Sequence, residues 1–208
     1  MHHLVYLHGF LSSPQSVKAQ STLTFVTKHY PNIKVYIPQI PGDLAKAVPL
    51  VENLIKTLPI DRTGFIGSSM GGFLATYCLE KYAAKASSAN SSNHLASTHL
   101  PKAVLINPAV TPSALLADYI GQHTNPYTKE VFDVQERHIN LLRQLYVETL
   151  EFPQRYKVLL QKGDETLDYT LASTKYSASC LHIEEAGNHS FVDYERHLPT
   201  IMQFLIAK

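Results

Sequence analysis

The chain has 208 residues, 45% hydrophobic and 17% charged, a composition that fits one globular domain spanning 1–208 with a substantial core. A formal net charge of +1 and the lack of a basic stretch argue against nucleic-acid binding through phosphate contacts. Cys78 and Cys180 form neither a disulfide framework nor a metal-ligand spacing, and no signal peptide or transmembrane run is legible, so a cytoplasmic protein without a membrane span is expected.

Strand and helix signals alternate along the chain. Leu4 to Leu7 reads as a first strand and leads into His8-Gly9-Phe10-Leu11. Pro14 to Tyr30 reads as a helix, and Lys34 to Pro38 as a strand. Asp43 is placed to cap a helix running to about Leu58, with Leu44, Val48, Val51, Leu54 and Ile55 near helical spacing. Gly64-Phe65-Ile66 then opens onto Gly67-Ser68-Ser69-Met70-Gly71-Gly72 and an apolar helical stretch from Phe73. Ala83 to Thr98 is rich in Ala, Ser and Asn and is expected to be a surface loop away from the site. Lys102 to Pro108 is the next strand. Residues 111–150 carry apolar positions at helical spacing, including Leu115, Leu116, Tyr119, Ile120, Val134, His138, Leu141, Leu142 and Leu145, interrupted by Asn125-Pro126-Tyr127. They are expected to form a helical lid. Lys157 to Gln161 and Cys180 to Ile183 read as the last two strands, with a helix from Tyr169 to Tyr176 between them and a final helix at the end. Such alternation implies a mainly parallel sheet covered on both faces, with ligands beyond the C-terminal strand ends.

The chemistry concentrates in four loops. Gly-x-Ser-x-Gly between a strand and a helix is the pattern of a nucleophile elbow, which makes Ser69, not Ser68, the candidate nucleophile. Backbone N–H groups must then stabilise the developing oxyanion. Met70, the residue after the nucleophile, and Phe10, with Leu11 the near alternative, are the candidates, and His8 is expected to brace its loop. There are 11 histidines, but His189 stands out in Gly187-Asn188-His189 after the last predicted strand, where a general base is required. Three carboxylates compete for the third role. Asp164 comes soonest after its strand, Glu165 points the other way if the backbone there is extended, and Asp168 suits a helix N-cap, which leaves it the runner-up. Ser69, Asp164 and His189 in that order match an α/β-hydrolase fold. Tyr127, Phe132 and Tyr146 can be read as pocket lining or as core aromatics, the latter favoured.

Six segments together resemble the YqiA-like esterases, small bacterial α/β-hydrolases. They are His8 to Pro14, Gly67 to Phe73, Leu105 to Ala109, Asn125 to Thr128, Gly163 to Glu165 with Leu167 to Tyr169, and His189 to Phe191. The resemblance covers nearly the whole chain. It implies hydrolysis of small-molecule carboxylic esters, with acyl-CoA thioesters a further class, and an acyl-enzyme on Ser69 is expected to need no metal or organic cofactor. It is compatible with Ser69, Asp164 and His189 as the triad. The rival readings are a non-catalytic ligand- or partner-binding protein of the same fold and a peptidase or amidase on the same scaffold.

Overall fold

The structure is a computed structural model that describes residues 1–89 and 100–207. Six strands form one parallel sheet: β1 (His3–Leu7), β2 (Lys34–Tyr36), β3 (Thr63–Ser68), β4 (Lys102–Ile106), β7 (Tyr156–Gln161) and β8 (Cys180–Glu184), in the order β2-β1-β3-β4-β7-β8. Each neighbouring pair is parallel, with Leu7 opposite Gly67 and Ser68 opposite Ile106. This register brings the C-terminal ends of β1, β3 and β4 level, so the loops after them share one edge.

Side chains alternate along each strand, and in the four central strands both faces are buried. Leu4, Tyr6, Ile66, Val104, Ile106 and Leu159 pack on one side with helices α1 (Val17–His29) and α7 (Leu198–Ile206). Val5, Leu7, Phe65, Leu105, Val158 and Leu160 pack on the other with α2 (Leu44–Lys56), α3 (Met70–Ala89) and α6 (Tyr169–Lys175). Near-continuous apolar runs are what a doubly covered parallel sheet requires. Asp43 caps α2 by accepting from the Ala45 N–H, and Asp168 caps α6 by accepting from the Thr170 N–H. Among the described residues no helix is long and apolar enough to cross a membrane.

Two expectations need correction. Helix α3 continues to Ala89, so the stretch expected to be a loop from Ala83 begins inside a helix, with Ala83 fully buried; residues 90–98 of it lie outside the described residues. Helix-favouring alanine and lysine, and the burial of Ala83, outweigh the weak apolar pattern at its start. The 111–150 insertion is also not all helical. Between α4 (Pro112–Ala117) and α5 (Glu136–Gln144) it carries an antiparallel hairpin, β5 (Gly121–Thr124) and β6 (Val131–Val134). Phe132 and Val134 are buried while Val131 and Asp133 are exposed, a period of two where a helical period was expected. Gly121, at φ 126, takes the chain out of the helical register into β5.

A buried polar chain ties α3 to the sheet. Tyr156 Oη donates to Glu80 Oε1 at 2.7 Å, and Glu80 Oε2 accepts from the Glu151 N–H at 3.0 Å. Replacing Tyr156 with Phe strips a donor from a buried carboxyl group and should cost about 1–3 kcal/mol. Urea unfolding of Tyr156→Phe checks this; an unchanged midpoint would mean the contact is energetically idle.

Candidate active site

Ser69 occupies the turn between β3 and α3 with φ 55, in the left-handed region that a non-glycine residue enters at a cost of about 1–3 kcal/mol. The conformation is held from several sides. The Ser69 N–H donates to Ile106 O of the neighbouring strand, and Ser69 O accepts from the N–H groups of Gly72 and Ala109. The turn is also so tight that a Cβ at Gly71 would lie 1.9 Å from Leu7 O. Glycine at position 71 therefore lets α3 start directly against β1, and the serine hydroxyl is left at the tip.

The three side chains picked out as nucleophile, base and acid form one hydrogen-bonded line. His189 Nε2 is 3.1 Å from Ser69 Oγ, and His189 Nδ1 is 3.0 and 2.9 Å from the two carboxylate oxygens of Asp164. A carboxylate can only accept, so Nδ1 carries the proton and Nε2 is left as an acceptor facing the serine hydroxyl. The Asp164 side chain is 2% exposed, and its Oδ1 also accepts from the Thr166 and Leu167 N–H groups. The structure thus brings Asp164 to the histidine, whereas Asp168 is occupied with Thr170 as a helix cap. Glu165 does not turn away as expected. Its Oε2 accepts from the His189 N–H at 3.0 Å, and that bond holds its carboxyl below the usual carboxylate range.

The loop that carries His189 is fastened by residues that sequence reasoning passed over. Gln161, at the end of β7 and 1% exposed, accepts on Oε1 from the Asn188 and Val192 N–H groups and donates from Nε2 to Val192 O and Glu184 Oε2. Gly187, at φ 100, passes so close that a Cβ there would lie 2.0 Å from Gln161 Oε1. Asn107, just beyond β4, donates from Nδ2 to Asn188 O and accepts on Oδ1 from the Gln161 N–H. A polar residue closing an apolar strand, as Gln161 and Asn107 both do, is the signal that could have found them. Lys18 adds a further tie, donating to Ser190 O at 2.7 Å. Burial lowers its amine from the usual lysine range to about 8, partly opposed by the Asp164 charge.

On the opposite side of Ser69, the loop after β1 supplies Gly9 and Phe10. A Cβ at Gly9 would lie 3.3 Å from the Ser69 Cβ, so this backbone passes directly beside the nucleophile candidate. Met70 is the first residue of α3, where backbone N–H groups have no partner inside the helix. His8 braces the loop as expected: its Nε2 accepts from the Ile40 N–H at 3.0 Å and its Nδ1–H donates to Gly9 O at 2.9 Å. The hairpin packs onto the same loop. Phe10 meets Phe132 edge-on at 5.7 Å and Tyr119 at 6.0 Å between ring centroids. Asn125 ties the hairpin turn to the loop by donating to Ser12 O.

A cavity of about 400 Å³ opens over these groups, lined among others by Ser69, His189, Phe10, Lys18 and Tyr127. That volume is within the range of small-molecule sites. Of the three aromatics considered for the pocket, only Tyr127 lines this cavity. Phe132 is buried beneath Phe10, and Tyr146 lies in a separate crevice under the Lys175 amine.

The comparisons with known proteins agree with this architecture. The uncharacterised protein family UPF0227, the YqiA family, matches over residues 3–91 and 88–206. Alpha/beta hydrolase domain-containing protein 10 from mouse superposes with a TM-score of 0.67 at 17% identity, covering 97% of this chain and 88% of that one. Est1E from Butyrivibrio proteoclasticus, in a structure with ferulic acid bound, gives 0.67 at 14% identity, covering 100% and 90%. The Arabidopsis methylesterase MES16 gives 0.62 at 13% identity, covering 98% of each chain. At such identities these likenesses establish the α/β-hydrolase fold.

Burial pushes the His8 imidazole below its ordinary 6.5, with its bond to Gly9 O acting weakly the other way. The unfolded chain then binds the proton more readily than the folded one, so stability falls as pH drops below about 6.5. The difference in urea midpoint between wild type and His8→Gln should narrow over that acid range. Curves that stay parallel would show that His8 does not titrate on unfolding.

Proposed function

Because the chain belongs to the uncharacterised protein family UPF0227, we propose a function from its site: a serine hydrolase that cleaves carboxylic esters through an acyl-enzyme on Ser69. The observation that carries this reading is the unbroken line from Ser69 Oγ through His189 to a buried Asp164.

In this reading His189 Nε2 takes the Ser69 proton as Oγ attacks the acyl carbonyl. Asp164 holds the imidazole in the Nδ1–H tautomer and stabilises the imidazolium that forms. The N–H groups of Met70 and Phe10 receive the oxyanion, with the α3 N-terminus adding its positive end. His189 then protonates the departing oxygen and activates a water for deacylation. Phe10 is the oxyanion contributor that the hairpin positions from behind, which gives the 111–150 insertion its role as a roof over the site. The chemistry serves an acyl-CoA thioester equally well, since only the leaving atom changes. It draws on no metal or organic cofactor. The esterase and methylesterase among the structural neighbours make a small ester the natural first substrate class to test.

A p-nitrophenyl ester series of increasing acyl length, beside a matched thioester and a matched anilide, tests the reading. Ester turnover should fall by roughly 10⁴-fold or more in Ser69→Ala, with the fold retained. Turnover equal in Ser69→Ala and wild type would refute the serine mechanism, and a folded wild type inert on every substrate would favour a binding protein.

Gln161 touches no substrate in this reading; it positions His189. Gln161→Leu should therefore lower kcat by roughly tenfold to a hundredfold while KM stays close to wild type. A loss confined to KM would contradict that role.

A further inference from the structure

Among the described residues, one group of histidine and carboxylate side chains brings three ligand atoms within 4.8 Å of one another: His182, Glu184 and His197. His182 and Glu184 lie two apart on edge strand β8 and therefore on the same face. His197 comes from the short 3₁₀ helix Tyr194–His197 that leads into α7. His182 Nε2 is 3.2 Å and His197 Nε2 3.0 Å from the same oxygen, Glu184 Oε1.

His197 is only 8% exposed, and its Nε2 is buried without a hydrogen bond although it faces that oxygen. The nitrogen thus has a carboxylate neighbour 3.0 Å away but no well-aligned hydrogen bond, so an ion placed between the two would engage both. We propose that His182, Glu184 and His197 bind a divalent transition-metal ion of the zinc class. Zinc–ligand distances of about 2.0–2.1 Å place neighbouring ligand atoms roughly 3.3 Å apart at a tetrahedral angle, close to the two separations of the histidine nitrogens from Glu184 Oε1. Two imidazoles and one carboxylate suit a borderline ion of this kind and not a hard one such as calcium. The other carboxylate oxygen, Oε2, is already oriented by Gln161 Nε2 at 2.7 Å, the kind of support that metal-bound carboxylates have. His182 sits at the solvent edge, which leaves a fourth position for water.

One group competes with the ion. Arg196 Nη2 donates to Glu184 Oε1 at 2.6 Å. Arg196 is largely exposed, so moving its guanidinium into water costs little. The bound ion would link β8 to the start of α7. It would do so outside the Ser69 cavity, whose lining includes none of the three ligands. The role is structural: no ligand touches the substrate cavity, and Glu184 reaches the His189 loop only through Gln161.

The test is calorimetric titration of untagged protein at neutral pH with zinc chloride alone, followed by cobalt(II) spectroscopy. Wild type should bind one equivalent, show visible d–d bands typical of nitrogen and oxygen ligands, and gain thermal stability that a chelator reverses. The exposed substitution His182→Ala should weaken binding by more than roughly tenfold with an unchanged circular dichroism spectrum. Arg196→Ala should tighten it. An absence of stoichiometric binding, an affinity unmoved by His182→Ala, or binding no tighter in Arg196→Ala would overturn the proposal.

Discussion

Everything at the candidate site depends on the left-handed turn at Ser69. A serine at φ 55 is disfavoured in isolation, and it persists because β4, the start of α3 and the backbone before Pro112 all bond to it. The same turn works only where strand and helix can nearly touch, which Gly71 allows by leaving Leu7 O room. In return the hydroxyl stands clear of the sheet, beside the first N–H groups of a long helix. The strain and the exposure of the Ser69 hydroxyl thus have one cause.

The histidine side is built on a different principle. His189 lies on a loop, and a loop has to be fastened before it can hold an imidazole 3.1 Å from a hydroxyl. Gln161 and Asn107 do this with buried side-chain amides that act as short substitutes for a strand. Between them they satisfy the backbone of Asn188 and Val192 on either side of His189. Each amide is itself nearly inaccessible to water, so a lost bond would leave a buried polar group unpaired, and the network holds as a unit. Glu165 adds a bond to the His189 backbone, while Asp164 holds the ring. On the far side the hairpin presses aromatic rings on Phe10. The backbone beside Ser69 is therefore packed from one side by apolar contacts and held on the other by hydrogen bonds.

Much of this was legible in the sequence because it rests on local rules. The parallel sheet follows from apolar runs between helical patterns, and the elbow from glycines flanking a serine after a strand. Asp43 and Asp168 announce themselves as caps by the residue type that precedes each helix. His8 as a brace and Asp164 as the partner of His189 also agree with the reading of their positions. What was missed depends on long-range geometry. The hairpin at residues 121–134 was hidden because the alternation of Phe132 and Val134 spans only a four-residue strand, between stretches of helical spacing around Leu115 and Leu116 and around Leu141, Leu142 and Leu145. The tail of α3 has too few apolar residues for periodicity to extend it. Glu165 was misjudged because the loop after β7 turns, which an extended-chain argument cannot anticipate. Gln161 looked like an ordinary strand end, since the three residues its side chain bonds lie 23 to 31 residues away.

The most direct test of the serine-hydrolase account is covalent. The folded protein is incubated with a fluorophosphonate, and the adduct is located by peptide mass spectrometry. The account predicts a single phosphonyl adduct on Ser69, absent in Ser69→Ala and formed far more slowly in His189→Ala. Folded wild type that stays unlabelled, or labelling that persists on another residue in Ser69→Ala, would contradict it.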